Sequence, residues 1–373
     1  MQSARPCLHP LNSDIEIKES EMSYSRRDIL TYSAGLATMN FAGMNVSVAG
    51  TTAKGSPHFP AKAKSVIFLN MRGAPSHVDT FDYKPELNKQ NGKRGKYGQN
   101  MLGSPWKFNK CGRSGLRISE LFPNLGKMAD EMCILNGLFS SQPNHPQAQT
   151  LMHTGNFQFA RPSLGSWILY GLGSENKNIP GFISLNPSSG TTQHYGSAFL
   201  PTRYQGTAIG RGGRRNSGST EVPDIKNKYI SKELQAKQFD FIQTLNQSQL
   251  KKSKSAGVKG VIDSYEMAFK MQDSMPAIMD ISKEKRATQS MYGLDNDSTA
   301  NFGKQCLLAR RFVEAGARFI ELSHGSWDHH FNMKEDTPAR AGEIDLPIAG
   351  LLKDLKQRSL LESTLVIWAG EFG

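Results

Sequence analysis

Three short apolar runs constrain this chain most: "KSVIFLNM" at 64–71, "ARFIEL" at 317–322 and "TLVIWAG" at 364–370. Each is rich in β-branched or aromatic residues and too short for a helix. None alternates cleanly between apolar and polar, the pattern of strands buried on both faces of a parallel sheet. Helical patterns precede the last two. "NFGKQCLLARRFVEAG" (301–316) predicts a helix stopped by Gly316, and Ile344, Ile348, Leu351, Leu352 and Leu355 share one face of a helix within "EIDLPIAGLLKDLKQRSLLEST". Earlier in the chain, "ISELFPNLGKMADEM" reads as a helix and "CILNGL" as a short strand. Residues 147–153 read as a helix stopped by Gly155, followed by a helix in "PSLGSWILYGLGSE" and a strand in "GFISL". Strands alternating with helices predict an α/β fold, a mostly parallel sheet with helices on both faces.

Residues 187–220 have no period and are rich in Gly, Ser, Thr and Arg, so they read as a loop excursion. Charged amphipathic helices follow across 228–292, making 187–292 a loop and helical insertion in a domain spanning 51–373. Residues 1–50 hold a different pattern: Arg26 and Arg27 precede a mildly apolar, Gly/Ala/Ser-rich run that ends in small residues near Ala49. That is the layout of an export signal of the twin-arginine type, which places the mature protein in the periplasm or outside the cell. At the other end the chain stops directly after a strand, which reads as a truncated piece of a longer protein.

The net charge is +12, with Lys and Arg spread along the chain rather than blocked, which argues against nucleic acid as the partner. "RGGRR" at 211–215 is the one local basic cluster that would favour anionic ligands. No segment after the signal reaches the ~20 uninterrupted apolar residues of a membrane span. Cys7, Cys111, Cys133 and Cys306 have no metal-site spacing; an oxidising compartment would permit a Cys111–Cys133 bridge that the spacing does not require. The oligomeric state is not encoded in any feature of the sequence.

In open parallel sheets, ligands bind beyond the carboxyl ends of the strands. The first run is followed by His77, Asp79 and Asp82, the second by His324, Asp328, His329 and His330, and the third by Glu371. Converging on one edge, such carboxylates and imidazoles suit a divalent ion. Each residue alone reads first as a hydrogen-bonded loop residue, and Asp79 or Asp82 as a turn cap before Pro85, while their convergence makes a metal or catalytic site an equal reading. A further polar stretch, "SSQPNHPQAQTLMHTG" (140–155), opens a helix that Asn144 or Ser141 would cap, and its free N–H groups would attract an anion.

These segments resemble a known family. "EIDLPIAGLLKDLKQRSLLESTLVIWAGEFG" is similar to the segment of the alkaline phosphatase and sulfatase superfamily in which a helix and strand lead into a metal-binding turn. "NHPQAQTLMHTG" is similar to the sulfatase helix that ends in Leu-Thr-Gly. Within that superfamily "GAPSHVDTFDYKP", "LLARRFVEAGARFIEL", "WDHH" and "GEFG" resemble the DUF1501 family, over roughly residues 60–373. The resemblance implies an alkaline-phosphatase-like core and metal-assisted hydrolysis of small phosphate or sulfate esters. It implies a divalent cation (zinc, calcium, manganese or magnesium) held by Asp328, His330 and Glu371, with Asp79 and His77 as further candidates. His145 and Asn144 would be the catalytic pair. The sequence departs from the superfamily in three ways. His145 stands where sulfatases carry their catalytic cysteine, with Gln149 in place of their arginine. Phe372 replaces the second metal ligand of the turn, and "NMRG" replaces the acids of the first strand. The family also continues past "GEFG" into further histidines. A secreted binding or structural protein on the same fold is therefore the alternative reading.

Overall fold

The structure is a computed structural model that describes residues 59–187, 192–210, 225 and 229–373. The export signal, Cys7 and the basic cluster at 211–215 lie outside the described residues. Residues from Lys62 to Gly373 form one compact unit.

All three defining runs are strands: β1 (Ser65–Met71), β6 (Phe319–His324) and β7 (Thr364–Ala369). With β4 (Phe182–Leu185) and β5 (Thr207–Ile209) they form a five-stranded sheet in the order β5-β4-β6-β1-β7, every neighbouring pair parallel. A separate antiparallel hairpin joins β2 (Phe108–Cys111) to β3 (Leu116–Ser119). Strand alternation sends Ile67, Leu69 and Met71 to one face, where they share a core with Ile320 and Leu322. Helices α5 (Asp297–Glu314) and α6 (Met333–Gln357) supply Leu307, Phe312, Ile344 and Leu351 to that core. Phe68, Phe182 and Phe319 point to the other face, under Leu169 of α2 (Leu164–Leu172), with Met152 of α1 (His145–Thr154) packed against them. Gly165 makes that crossing close, because a Cβ there would come within 2.6 Å of the Phe182 ring.

Helices α3 (Lys232–Ser253) and α4 (Ala256–Met279) form the expected helical insertion, capped by Ser231 and Ser255 and joined by stacked Phe239 and Phe269. Met271 and Met275 tie α4 to the main core. Four local expectations need correction. "CILNGL" is not a strand: Asn136 and Gly137 sit in a turn, and Asn136 donates to Asp82 at 2.5 Å. The helix expected over 118–132 is confined to a 3-10 stretch at Leu125–Glu131, because Ile118 and Ser119 pair in the hairpin and Pro123 interrupts the run. The stretch 187–220 holds β5, an edge strand of the main sheet, which its polar composition concealed. Helix α6 begins at Met333, well before the apolar spacing starts, and runs through Pro338 and Pro347.

Candidate functional site

Strands β1, β6 and β7 end side by side, with Met71 opposite His324 and Asn70 opposite Ala369. The chain beyond each end is fastened to its neighbour. Arg72 N–H donates to the His324 carbonyl at 2.8 Å, and Gly73 N–H donates to Glu371 Oε1 at 2.9 Å. Gly73 has φ +102°, and a Cβ there would lie 2.6 Å from the Asp328 backbone nitrogen. Only glycine meets both conditions without strain.

On this edge four of the expected residues join in a line. Glu371 Oε1 meets His145 Nδ1 at 2.7 Å, His145 Nε2 meets Asp328 Oδ2 at 3.2 Å, and Asp328 Oδ1 meets His330 Nε2 at 2.8 Å. Side-chain exposure rises along it, from 0% at Glu371 through 34% at His145 to 72% at His330, so the array leads from interior to solvent. Helix α1 positions His145 as its first residue, and the ring rests on Phe372 at 4.7 Å between centroids. Asn144 occupies the N-cap position, but its side chain makes no capping hydrogen bond. Glu371 Oε2 is buried and has no partner.

Behind the line lies a polar layer that the sequence reading missed. Glu321, in the middle of β6, is buried with His153 Nε2 at 3.0 Å and Asn70 Nδ2 at 3.3 Å from its Oε1. The other His153 nitrogen faces the Gln149 carbonyl at 2.7 Å. Burial acts to lower His153, but the charge and hydrogen bond of Glu321, the Gln149 carbonyl and the charge of Glu371 together raise it above the ordinary histidine value. His194 stacks on it at 4.2 Å and is pushed down to about 3, by burial first and then by the charges of His153 and Arg72. One signal could have exposed this layer: a glutamate inside an apolar strand must find a partner.

Across the sheet, a cavity of about 680 Å³ lies between α5, α6 and the loop after β6. Asp328 lines it, as do His324, His329, Gln305, Arg340 and Glu343. His324 is held by Glu343 at 2.8 Å and accepts from Trp327 Nε1 at 3.0 Å, while burial keeps its basicity low. Asp328 therefore belongs to both the array and the cavity wall.

Two expected ligands stand apart. Asp79 Oδ2 accepts from Ser76 Oγ at 2.7 Å at the start of a short helix, His77–Thr80, a local hydrogen bond rather than a cap of the turn before Pro85. The His77 ring abuts Gly373. Among the described residues, no group of three or more His, Cys, Asp or Glu side chains is placed to hold a metal ion.

The sequence profile described as "Protein of unknown function (DUF1501)" matches residues 63–373. The chain belongs to the DUF1501 family. The match spans β1 through β7, so both the array and the buried layer lie within the DUF1501 region. No curated protein and no solved structure matches the chain. Among the described residues of this DUF1501 member, no helix is long and apolar enough to cross a membrane.

Proposed function

We propose that this DUF1501 protein is an exported hydrolase of small phosphate or sulfate esters, built on an alkaline-phosphatase-like core. The observation that carries the reading is the line Glu371–His145–Asp328–His330 at the carboxyl edge of a parallel sheet, where such folds place their chemistry. Glu371 fixes the Nδ1 side of the imidazole and Nε2 meets the partly exposed Asp328, so proton exchange with the ester or with water runs through the Nε2–Asp328 side of the ring. His145 thus acts as the acid/base at the position where sulfatases place a nucleophile, and Asn144 borders it with an uncommitted side chain.

The donor set fits a divalent cation in kind. Asp328, Glu371 and His330 offer carboxylate and imidazole ligands, and the unpartnered Glu371 Oε2 is an open buried acceptor. A zinc, calcium, manganese or magnesium ion held by these three would polarise the ester and lower the pKa of attacking water, but it requires them to draw together, because His145 stands between Glu371 and Asp328 and no such group of three is in place among the described residues. Asp79 and His77 are engaged elsewhere and are left out of that set. A competing reading, a secreted binding protein that kept the fold, is favoured by the lack of a ready-made metal cage among the described residues.

The test is turnover of aryl phosphate and aryl sulfate esters by the full chain, with each of the four cations in turn. Wild-type turnover that falls about 100-fold or more in His145→Gln supports the reading, the size expected of a lost general acid/base. No turnover with any cation, together with no bound metal, would leave the binding-protein reading standing.

A further inference from the structure

Two carboxylates stand beyond the end of β1 and a third, Glu321, lies behind them in mid-β6, and each has an imidazole against it. Glu321 has His153 at 3.0 Å, Glu371 has His145 at 2.7 Å, and Asp328 has His330 at 2.8 Å. Arg72 is the cation left over. Among the described residues its guanidinium forms no hydrogen bond or ion pair, and its Nε is enclosed without an acceptor. Burial pulls it below the ordinary arginine value, although Glu371 and Glu321 both act to keep it charged. The enclosed Nε cannot itself meet a ligand, but Nη1 and Nη2 are not enclosed, and a ligand can offer them the acceptors that the guanidinium lacks.

Its placement also suits a ligand. Arg72 follows the last residue of β1, between the ends of β6 and β7, and so stands among the three loops that build the array. Its Nη2 lies against Gly325, where a Cβ would approach within 3.0 Å. The loop after β6 therefore carries the smallest residue where the guanidinium passes. Burial keeps the neighbouring His194 uncharged, so that ring does not add a second cation.

We propose that Arg72 is the oxyanion-recognising residue of this site, its planar fork taking two oxygens of a tetrahedral phosphate or sulfate group beside His145. The inference rests on the hydrolase reading for the identity of that group as part of an ester. The binding step stands on the Arg72 geometry alone. Guanidinium suits the task because its paired N–H groups match two oxygens of such an anion.

Calorimetric titration of the full chain with inorganic phosphate, and separately with inorganic sulfate, tests this at constant chloride and with and without added zinc. The two anions distinguish the phosphate and sulfate sources of the same chemistry. Wild type should bind at least one of them, and Arg72→Gln should weaken that binding about 10- to 100-fold, the worth of charge-assisted hydrogen bonds. Where Arg72→Gln fails to fold, Arg72→Lys carries the test: it keeps the charge, loses the fork, and should weaken binding several-fold. Wild type that binds neither anion, or a folded variant that binds as tightly as wild type, overturns the assignment and leaves the guanidinium as an internal counter-charge to Glu321 and Glu371. The two readings fail separately. Arg72-dependent anion binding without ester turnover sinks the hydrolase, whereas turnover with an unchanged KM in Arg72→Gln sinks the role of Arg72.

Discussion

Glu321 is a carboxylate in the middle of a strand buried at every position, and its partner His153 lies on a helix above the opposite side of the core from α5 and α6. Removing one member of such a pair leaves the other charge stranded, so Glu321→Ala should cost about 3–5 kcal/mol in urea denaturation. The milder Glu321→Gln reports on the protonation of His153. A histidine raised in the folded state contributes stability fully below its unfolded value and loses it as pH rises through the folded value. The stability gap between wild type and Glu321→Gln should therefore be widest below the ordinary histidine value of about 6.5 and narrow as pH rises above it. A gap that stays constant would mean that His153 is uncharged. The contrast with Asp79 shows what single residues in the sequence could reveal. Both are buried acids near the carboxyl edge, but Asp79 answers to a hydroxyl three residues away, whereas Glu321 answers to a histidine on a distant helix. A local turn role was legible as an alternative for Asp79, but the Ser76 hydroxyl as its partner was not. The Glu321 pairing depends on tertiary placement that spacing does not encode.

The elements that form the site were legible where their patterns were strong. β1, β6 and β7 were visible as continuous apolar runs, and the rule about strand ends brought Asp328, His330 and Glu371 onto one edge, whereas His145 came into view only through the family resemblance. β5 escaped because three residues in a polar excursion leave no period to read. The junction after β1 is the tightest part of this arrangement. Gly73 combines a left-handed backbone with a close approach to the Asp328 and Trp327 backbone, atoms that cannot swing aside as a flexible side chain would. Gly73→Ala should therefore cost about 1–3 kcal/mol from the backbone conformation alone, and more from the clash. It should also loosen the Gly73–Glu371 hydrogen bond and with it the seat of His145. The discriminating measurement is the His145 imidazole resonance by NMR alongside denaturation. Gly325→Ala provides a comparison, since its nearest obstacle is the end of the Arg72 side chain rather than backbone. Equal losses for both variants would argue against a special role for the β1 junction.

Across the whole molecule, buried histidines set the response to acid. His194 is held at about 3, and burial also lowers His324 and His329, whereas His153 is raised. The unfolded chain binds protons at the three lowered sites as pH falls below about 6.5, and the folded chain binds them only at lower pH. Stability must fall over that range, because protons favour the state that takes up more of them. His153 acts in the opposite sense, since acid keeps its pairing with Glu321 intact, but it offsets only part of the loss. For His194 alone, the interval from its ordinary value to about pH 5 corresponds to about 2 kcal/mol. Melting temperature measured from about pH 7 down to about pH 4 should therefore decline for wild type and decline less steeply for His194→Gln, whatever the variant's starting stability. Parallel curves for the two proteins would show that His194 takes up its proton in the folded state. Such an outcome would place a second cation beside Arg72, and the attraction of that edge for anions would then strengthen with acidity.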